Sequence, residues 1–177
     1  TSLLLCLMHR DEATQQWLVT EANRTMMGQH FQDCLTDIRQ VVDSFLPDYM
    51  VAERVLSMDA TFNMKKNDVA GIPSSMDSLF MGLGWETPGG NLDLDAGVIL
   101  LDKNFNHVDT CYFTNTRLPG LHHQGDNVTG VGKGDDEVID VTLSQIQSNV
   151  EHLVFVVNIY SDGRSFSSVY DSYCRLC

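Results

Sequence analysis

The stretch Gly125 to Glu137, GDNVTGVGKGDDE, opens with Asp126 and Asn127 and closes with Asp135, Asp136 and Glu137. Gly125 precedes the first pair, and glycines at 130, 132 and 134 separate the two ends. A second acidic pair, Asp93 and Asp95, lies in NLDLDAG. In an extended strand both of its carboxylates leave one face, while Leu92 and Leu94 leave the other. A further acid, Glu86, follows GLGW. Clustered carboxylates repel one another unless something positive sits between them. Oxygen donors of this kind suit a hard cation, and calcium takes about six to eight of them from carboxylates, Asn side chains and backbone carbonyls. Gly130, Gly132 and Gly134 would let the loop fold back and aim carbonyls inward. Magnesium holds its water more tightly and takes fewer protein ligands. Zinc fits less well, because His122 and His123 are adjacent and neighbouring strand residues face apart. A solvated acidic loop with turn glycines accounts for the same residues. Only convergence in space separates these readings, and spacing does not show it.

Other chemistry finds little footing. GVGKG has the look of a phosphate loop, but Asn127 stands at the first required glycine and Gly134 replaces the hydroxyl residue after Lys133. DLDAG begins like an EF-hand loop, yet VILLD follows as an apolar run and no Glu stands at loop position twelve. There is no Ser-His-Asp order, nucleophile elbow or HExxH motif. Metal-assisted hydrolysis with His123 or a loop carboxylate as base is therefore the weakest functional reading, and the expectation is that the chain is not an enzyme. His107, His122, His123 and His152 read as surface or packing residues, and Cys111 as a strand residue.

The elements that must position the acids come in two kinds. Residues 10–57 read as helix. In QHFQDCLTDIRQVVDSFLP, Phe31, Leu35, Ile38, Val42 and Phe45 recur at steps of three or four, and Pro47 marks the end. DEATQQWLVTEANRTMM reads as a weaker helix before it, and YMVAERVLS as a third. From about residue 58 the pattern changes to LFMGLGW, DAGVILLD, HVDTCYFTN, EVIDVTL, HLVFVVNIY and SVYDSYCRLC, broken by Gly, Asn, Asp and Pro clusters. Short apolar or alternating runs between turn signals predict an antiparallel β-sandwich. The expected division is a helical extension, or the end of a preceding domain, over 1–57 and a sandwich domain over 58–177.

Bulk properties agree with this picture. The 177 residues carry a net charge of -13, which argues against direct contact with a nucleic-acid backbone and suits cation binding. No apolar run approaches the ~20 residues of a membrane span, and TSLLLCLM does not read as a signal peptide. Five scattered cysteines do not make a secreted disulfide framework. Cys174 and Cys177 form a CxxC that reads as two strand residues on opposite faces. The compartment is taken as reducing and cytoplasmic, where the acceptor patterns at Asn23 and Asn127 carry no meaning. The chain lacks an initiator Met and stops at CRLC, so we expect a fragment of a longer protein.

GLGWE, LDLDAGVILLD, FTN, HQGDNVTGVGKGDDEVIDVTL and HLVFVVNIY together resemble the tellurium-resistance (TerD) domain of stress-response proteins, from about residue 58 to the end. The resemblance implies a β-sandwich and calcium at acidic loops. Carried over, its ligands are Asp93, Asp95, Asp126, Asn127, Asp135, Asp136 and Glu137, with carbonyls around Gly130 and Gly132. Asp93, Asp95, Asp126 and Asp135 are the foremost, and Asn115 is expected to buttress the loop. Three departures stand out. Glu86 replaces the family's usual Asp, standalone members lack the helical segment, and the family's domain normally continues into further strands after YCRL.

The function expected is a calcium-binding module in protein interaction or stress response. Its partners would be calcium ions and a protein contacted through the helical segment. A structural subunit with a permanently filled ion site is the alternative.

Overall fold

The computed structural model describes residues 2–26, 54–55, 69–86, 92–161 and 164–177. Its strands are β1 (Ser2–Arg10), β2 (Trp17–Met26), β3 (Arg54–Val55), β4 (Val69–Gly71), β5 (Ser78–Glu86), β6 (Leu94–Leu101), β7 (His107–Cys111), β8 (Arg117–Leu118), β9 (Leu121–His123), β10 (Glu137–Thr142), β11 (His152–Ile159) and β12 (Tyr170–Leu176). They form a seven-stranded sheet, β3-β4-β2-β1-β11-β6-β7, and a five-stranded sheet, β12-β5-β10-β9-β8. Neighbours pair antiparallel, apart from the parallel β3–β4 pair.

The sandwich follows from alternation. In β10, Glu137, Ile139 and Val141 are buried, while Val138, Asp140 and Thr142 are half-buried. In β5, Leu79, Met81, Leu83 and Trp85 enter the core. Across from them, β6 supplies Leu94, Ala96, Val98 and Leu100, and β11 supplies Leu153, Phe155, Val157 and Ile159. Each large apolar side chain so buried contributes roughly 1.5–3 kcal/mol relative to exposure. The intervening residues Ile99, Leu101, Val154 and Val156 are also fully buried. With both faces of β6 and β11 shut off from water, GVILL and HLVFVV are continuous apolar runs rather than alternating ones.

The helical reading of the first part of the chain does not hold where the structure describes it. Of residues 11–27, read as a weak helix, the described part, 11–26, is a turn followed by β2. Asp11 sets the turn: its Oδ1 accepts from the Thr14 amide and hydroxyl, each at 2.7 Å. Gln15 then adopts φ +59°, and β2 runs back along β1 from Trp17↔Arg10 onward. Trp17 and Val19 turn into the core while Leu18 and Thr20 turn away, which is a period of two. Sheet partners here override a sequence that spaces its apolar residues ambiguously. TSLLLCLM likewise supplies β1, which lies between β11 and β2. Arg54–Val55, read within a third helix, is a short strand on β4. The amphipathic segment 29–47 lies outside the described residues.

One end of the seven-stranded sheet buries two facing histidines. His9 and His152 are strand partners with ring centroids 6.3 Å apart, and Phe105 stacks on His152 at 4.6 Å. Burial pushes the His152 imidazole down to about 4, with His9 lowering it further and Asp102 opposing. Burial lowers His9 as well, against the pull of Asp11. A histidine whose folded value lies below its unfolded 6.5 favours folding while neutral. That stability is whole above pH 6.5 and is lost as pH falls toward about 4. For His152 the full loss is on the order of 3 kcal/mol. Urea unfolding of the parent and of His152→Phe at pH 7 and pH 4.5 tests this. The variant should lose distinctly less stability on acidification, and equal losses would refute the assignment.

Candidate metal centre

Asp93 and Asp95 stand at the start of β6, and Asp126 stands in the loop between β9 and β10. One carboxylate oxygen from each lies within 4.8 Å of the other two. Asp95 is buried, Asp93 half-buried and Asp126 exposed. Two local features fix the β6 end: the Asp93 amide donates to Ser161 Oγ at 3.0 Å, and the Asp93 carbonyl accepts from the Tyr160 amide at 3.0 Å. Asp95 is opposite Asn158 on β11.

The three acids sit together at an electrostatic cost. Burial, then Asp126 and Glu137, push the Asp93 carboxyl up to about 6. Burial, then Asp93, Glu137 and Asp126, push Asp95 up to about 8. Oδ1 of Asp93 is buried and meets no hydrogen-bond donor among the described residues. Buried acceptors are rarely left so. An oxygen-only donor set of like charge, with one acceptor unsatisfied, has the chemistry of a site for a hard cation. Asp126, at the surface, leaves the cluster open on one side.

The remaining acids of the loop have other partners. Asn127 caps its own turn: Oδ1 accepts from the amides of Thr129 and Gly130 and from the Thr129 hydroxyl, each at 3.1 Å. Its Nδ2 donates to Asp136 Oδ1 at 3.0 Å, and Asp136 Oδ2 accepts the Trp85 amide at 3.0 Å. Asp135 turns to the five-stranded sheet. Arg175 on β12 donates to it from Nε and Nη2 at 3.1 and 2.6 Å, and its carboxylate lies over Gly82, where a side chain on β5 would block it. Glu137 is buried and accepts from Ala96 and Asn127. Gly130, at φ +59°, lies against the Trp85 indole. Gly132 is in open space apart from the Asp136 carboxylate at 3.9 Å. Glu86 is exposed at the end of β5. Asn115 holds the β7–β8 turn rather than the acidic loop, with Nδ2 donating to Asp109 Oδ1 and to the Thr110 carbonyl.

Three further residues frame the site: Trp85 and Arg175, to which the sequence reading gives no role, and His123, which it takes as a surface or packing residue. Trp85, buried beneath the loop, donates from Nε1 to the Leu92 carbonyl at 2.8 Å. Arg175 carries no motif. His123 is buried beside Glu137, and a signal for it was present: in LHH, alternation puts His123 on the same face as the buried Leu121. Cys111 is buried, which pushes its thiol up to about 11, so it is a core residue of low reactivity.

Two antiparallel sheets with an acidic cluster at the mouth of β6 and a glycine-rich loop define a class of β-sandwich. The TerD domain model matches residues 60–177, and the chain belongs to the TerD family. It is 41% identical over 117 residues to the tellurium resistance protein TerZ of Serratia marcescens, covering 58% of this chain and 60% of that protein. It is 36% identical over 124 residues to the stress response protein SCP2 of Bacillus subtilis (strain 168), covering 58% and 62%. The chain thus spans about three-fifths of the length of these relatives. Among solved structures, a homologue of the telluride resistance protein TerD from Streptomyces coelicolor A3(2) superposes with a TM-score of 0.51 at 18% identity, over 56% of this chain and 64% of that one. That likeness concerns the fold. Among the described residues, no helix is long and apolar enough to cross a membrane.

Proposed function

We propose that the chain is a calcium-binding module of a stress-response protein, in which the ion draws Asp93, Asp95 and Asp126 together and orders the loop after Asp126. The observation that carries this reading is the cluster itself: three mutually repelling carboxylates within 4.8 Å, one presenting a buried oxygen without a donor among the described residues. The stress role is supported by the names of relatives such as stress response protein SCP2 and general stress protein 16U of Bacillus subtilis. A protein contact at the loop is supported by Val128 and Val131, which are 53% and 79% exposed. Asn127 and Trp85 pin the backbone between them, so both valines are presented outward from a loop that the ion would stiffen.

The test is thermal unfolding in chelator and then across a calcium titration, with magnesium as the control. A ligand that binds only the folded state stabilises it by about 2.7 kcal/mol at a hundred times its dissociation constant. Calcium should raise the midpoint, magnesium should raise it less, and Asp126→Ala should remove the effect. Asp135→Ala should keep it, because Asp135 is engaged by Arg175. No shift at millimolar calcium would refute the proposal. The affinity separates a regulated site, at micromolar or weaker, from a permanently filled staple at nanomolar.

A further inference from the structure

Glu137 lies beside the acidic cluster, but its oxygens are spent elsewhere. Its place in β10 makes it core-facing, in register with Ile139 and Val141, and it is 1% exposed. Oε2 accepts the Ala96 amide at 2.7 Å, and Oε1 accepts the Asn127 amide at 3.2 Å. Those two amides immediately follow Asp95 and Asp126. One carboxylate therefore joins the two chain segments that bring acids to the cluster from opposite sides.

The Ala96 amide needs this partner. β7 begins to pair with β6 at Val98↔Cys111, so Ala96 lies beyond the end of that ladder. Glu137 fills the place of the missing strand. His123 backs the arrangement from β9. Its Nε2 lies 3.4 Å from Glu137 Oε2 without making a hydrogen bond among the described residues, and its Nδ1 accepts the Gly125 amide at 3.2 Å. Gly125 leads into Asp126, so the start of the loop is tied to Glu137 through the Asn127 amide, with the His123 ring holding Gly125 and packing beside the carboxylate.

We infer that Glu137 is a positioning residue and not a ligand: it fixes the distance between Asp95 and Asp126 by holding the amides of Ala96 and Asn127, with His123 as its support. This rests on the calcium reading of the cluster. Partners that orient the ligands of a metal site typically govern its affinity by roughly 10–100-fold. Glu137→Gln keeps one acceptor oxygen but brings an amide group to a place where backbone N–H groups converge, so one of the two ties is lost.

The test uses the whole chain with calcium and with terbium as a luminescent stand-in. Calcium affinity is measured by calorimetry, and water molecules on bound terbium are counted from lifetimes in H2O and D2O. Glu137→Gln and Glu137→Ala should each weaken calcium about 10–100-fold without adding water to the terbium ion. Asp126→Ala, as the ligand control, should add water. His123→Gln should weaken binding in the same direction and by less. Extra water in Glu137→Ala, equal to that in the Asp126 control, would make Glu137 a ligand and overturn the inference. Unchanged affinity in Glu137→Gln would overturn it too, reducing Glu137 to a packing role visible only in the melting temperature. If the parent chain binds neither ion, the calcium reading itself fails and the brace falls with it.

Discussion

Asp95→Asn is expected to abolish calcium binding and, in chelator, to make the chain more stable than its parent. The opposed signs follow from one fact. Asp95 is buried beside Asp93, Glu137 and Asp126, and its carboxyl is pushed up to about 8 from 3.8. A group with a raised folded value contributes its full stability below the unfolded value and loses it as pH rises through the folded one. Without metal, the parent therefore weakens relative to Asp95→Asn from pH about 4 to about 8 and stays weaker above that. The gap at pH 9 should be on the order of several kcal/mol. Saturating calcium at pH 8 should reverse the order, because the ion supplies the missing positive charge to the parent alone. Denaturant unfolding of both chains from pH 4 to 9, with and without calcium, reads this directly. The His9–His152 pair titrates in both chains and cancels in the difference. A metal-free parent that matches or exceeds the variant at pH 9 would show that the cluster stores no repulsion.

The same acids show what could be read without the structure. Asp93 and Asp95 share a face because a strand repeats every two residues, and Asp126 joins them across the sandwich. The strand runs LFMGLGW, DAGVILLD, EVIDVTL and HLVFVVNIY became β5, β6, β10 and β11 with their ends nearly in place. β1 and β2 did not show, since LLLCLM and WLVTEANRTMM fit two periods and only their partners decide between them. The loop residues divided for a reason that spacing cannot carry. Asp135, Asp136 and Glu137 are consecutive, so they leave the chain in different directions: toward Arg175, toward Trp85 and Asn127, and into the core. Ligand sets carried over along a run of adjacent acids therefore overstate how many can face one point. For Glu137 the alternation with Ile139 and Val141 already implied an inward side chain, and an acid on the core face of a strand calls for buried donors.

The glycines divide in the same way, and the sharpest case is a single methyl group. Gly130→Ala is expected to destabilise the metal-free chain by roughly 2–4 kcal/mol, from a left-handed backbone and from overpacking together. Gly130 has φ +59°, and a Cβ there would overlap the indole nitrogen of Trp85. Neither neighbour can give way freely. Trp85 is 2% exposed and is bonded to the Leu92 carbonyl, while the Gly130 amide is bonded to Asn127 Oδ1. If the loop lifts, the Asn127 cap opens and Asp126 loses its fixed place, so calcium binding should weaken along with the fold. Gly132→Ala is the contrast, since φ +158° strains the backbone of an L residue there too, but the nearest atom to a Cβ is an Asp136 oxygen at 3.9 Å and nothing is overpacked. It should cost roughly 1–2 kcal/mol from the backbone alone, less than Gly130→Ala. Urea unfolding in chelator followed by calorimetry with calcium measures both variants. Equal stability of the two would mean that the loop does not rest on Trp85. A loss of stability in Gly130→Ala with calcium affinity intact would separate the pinning of the loop from the placement of Asp126.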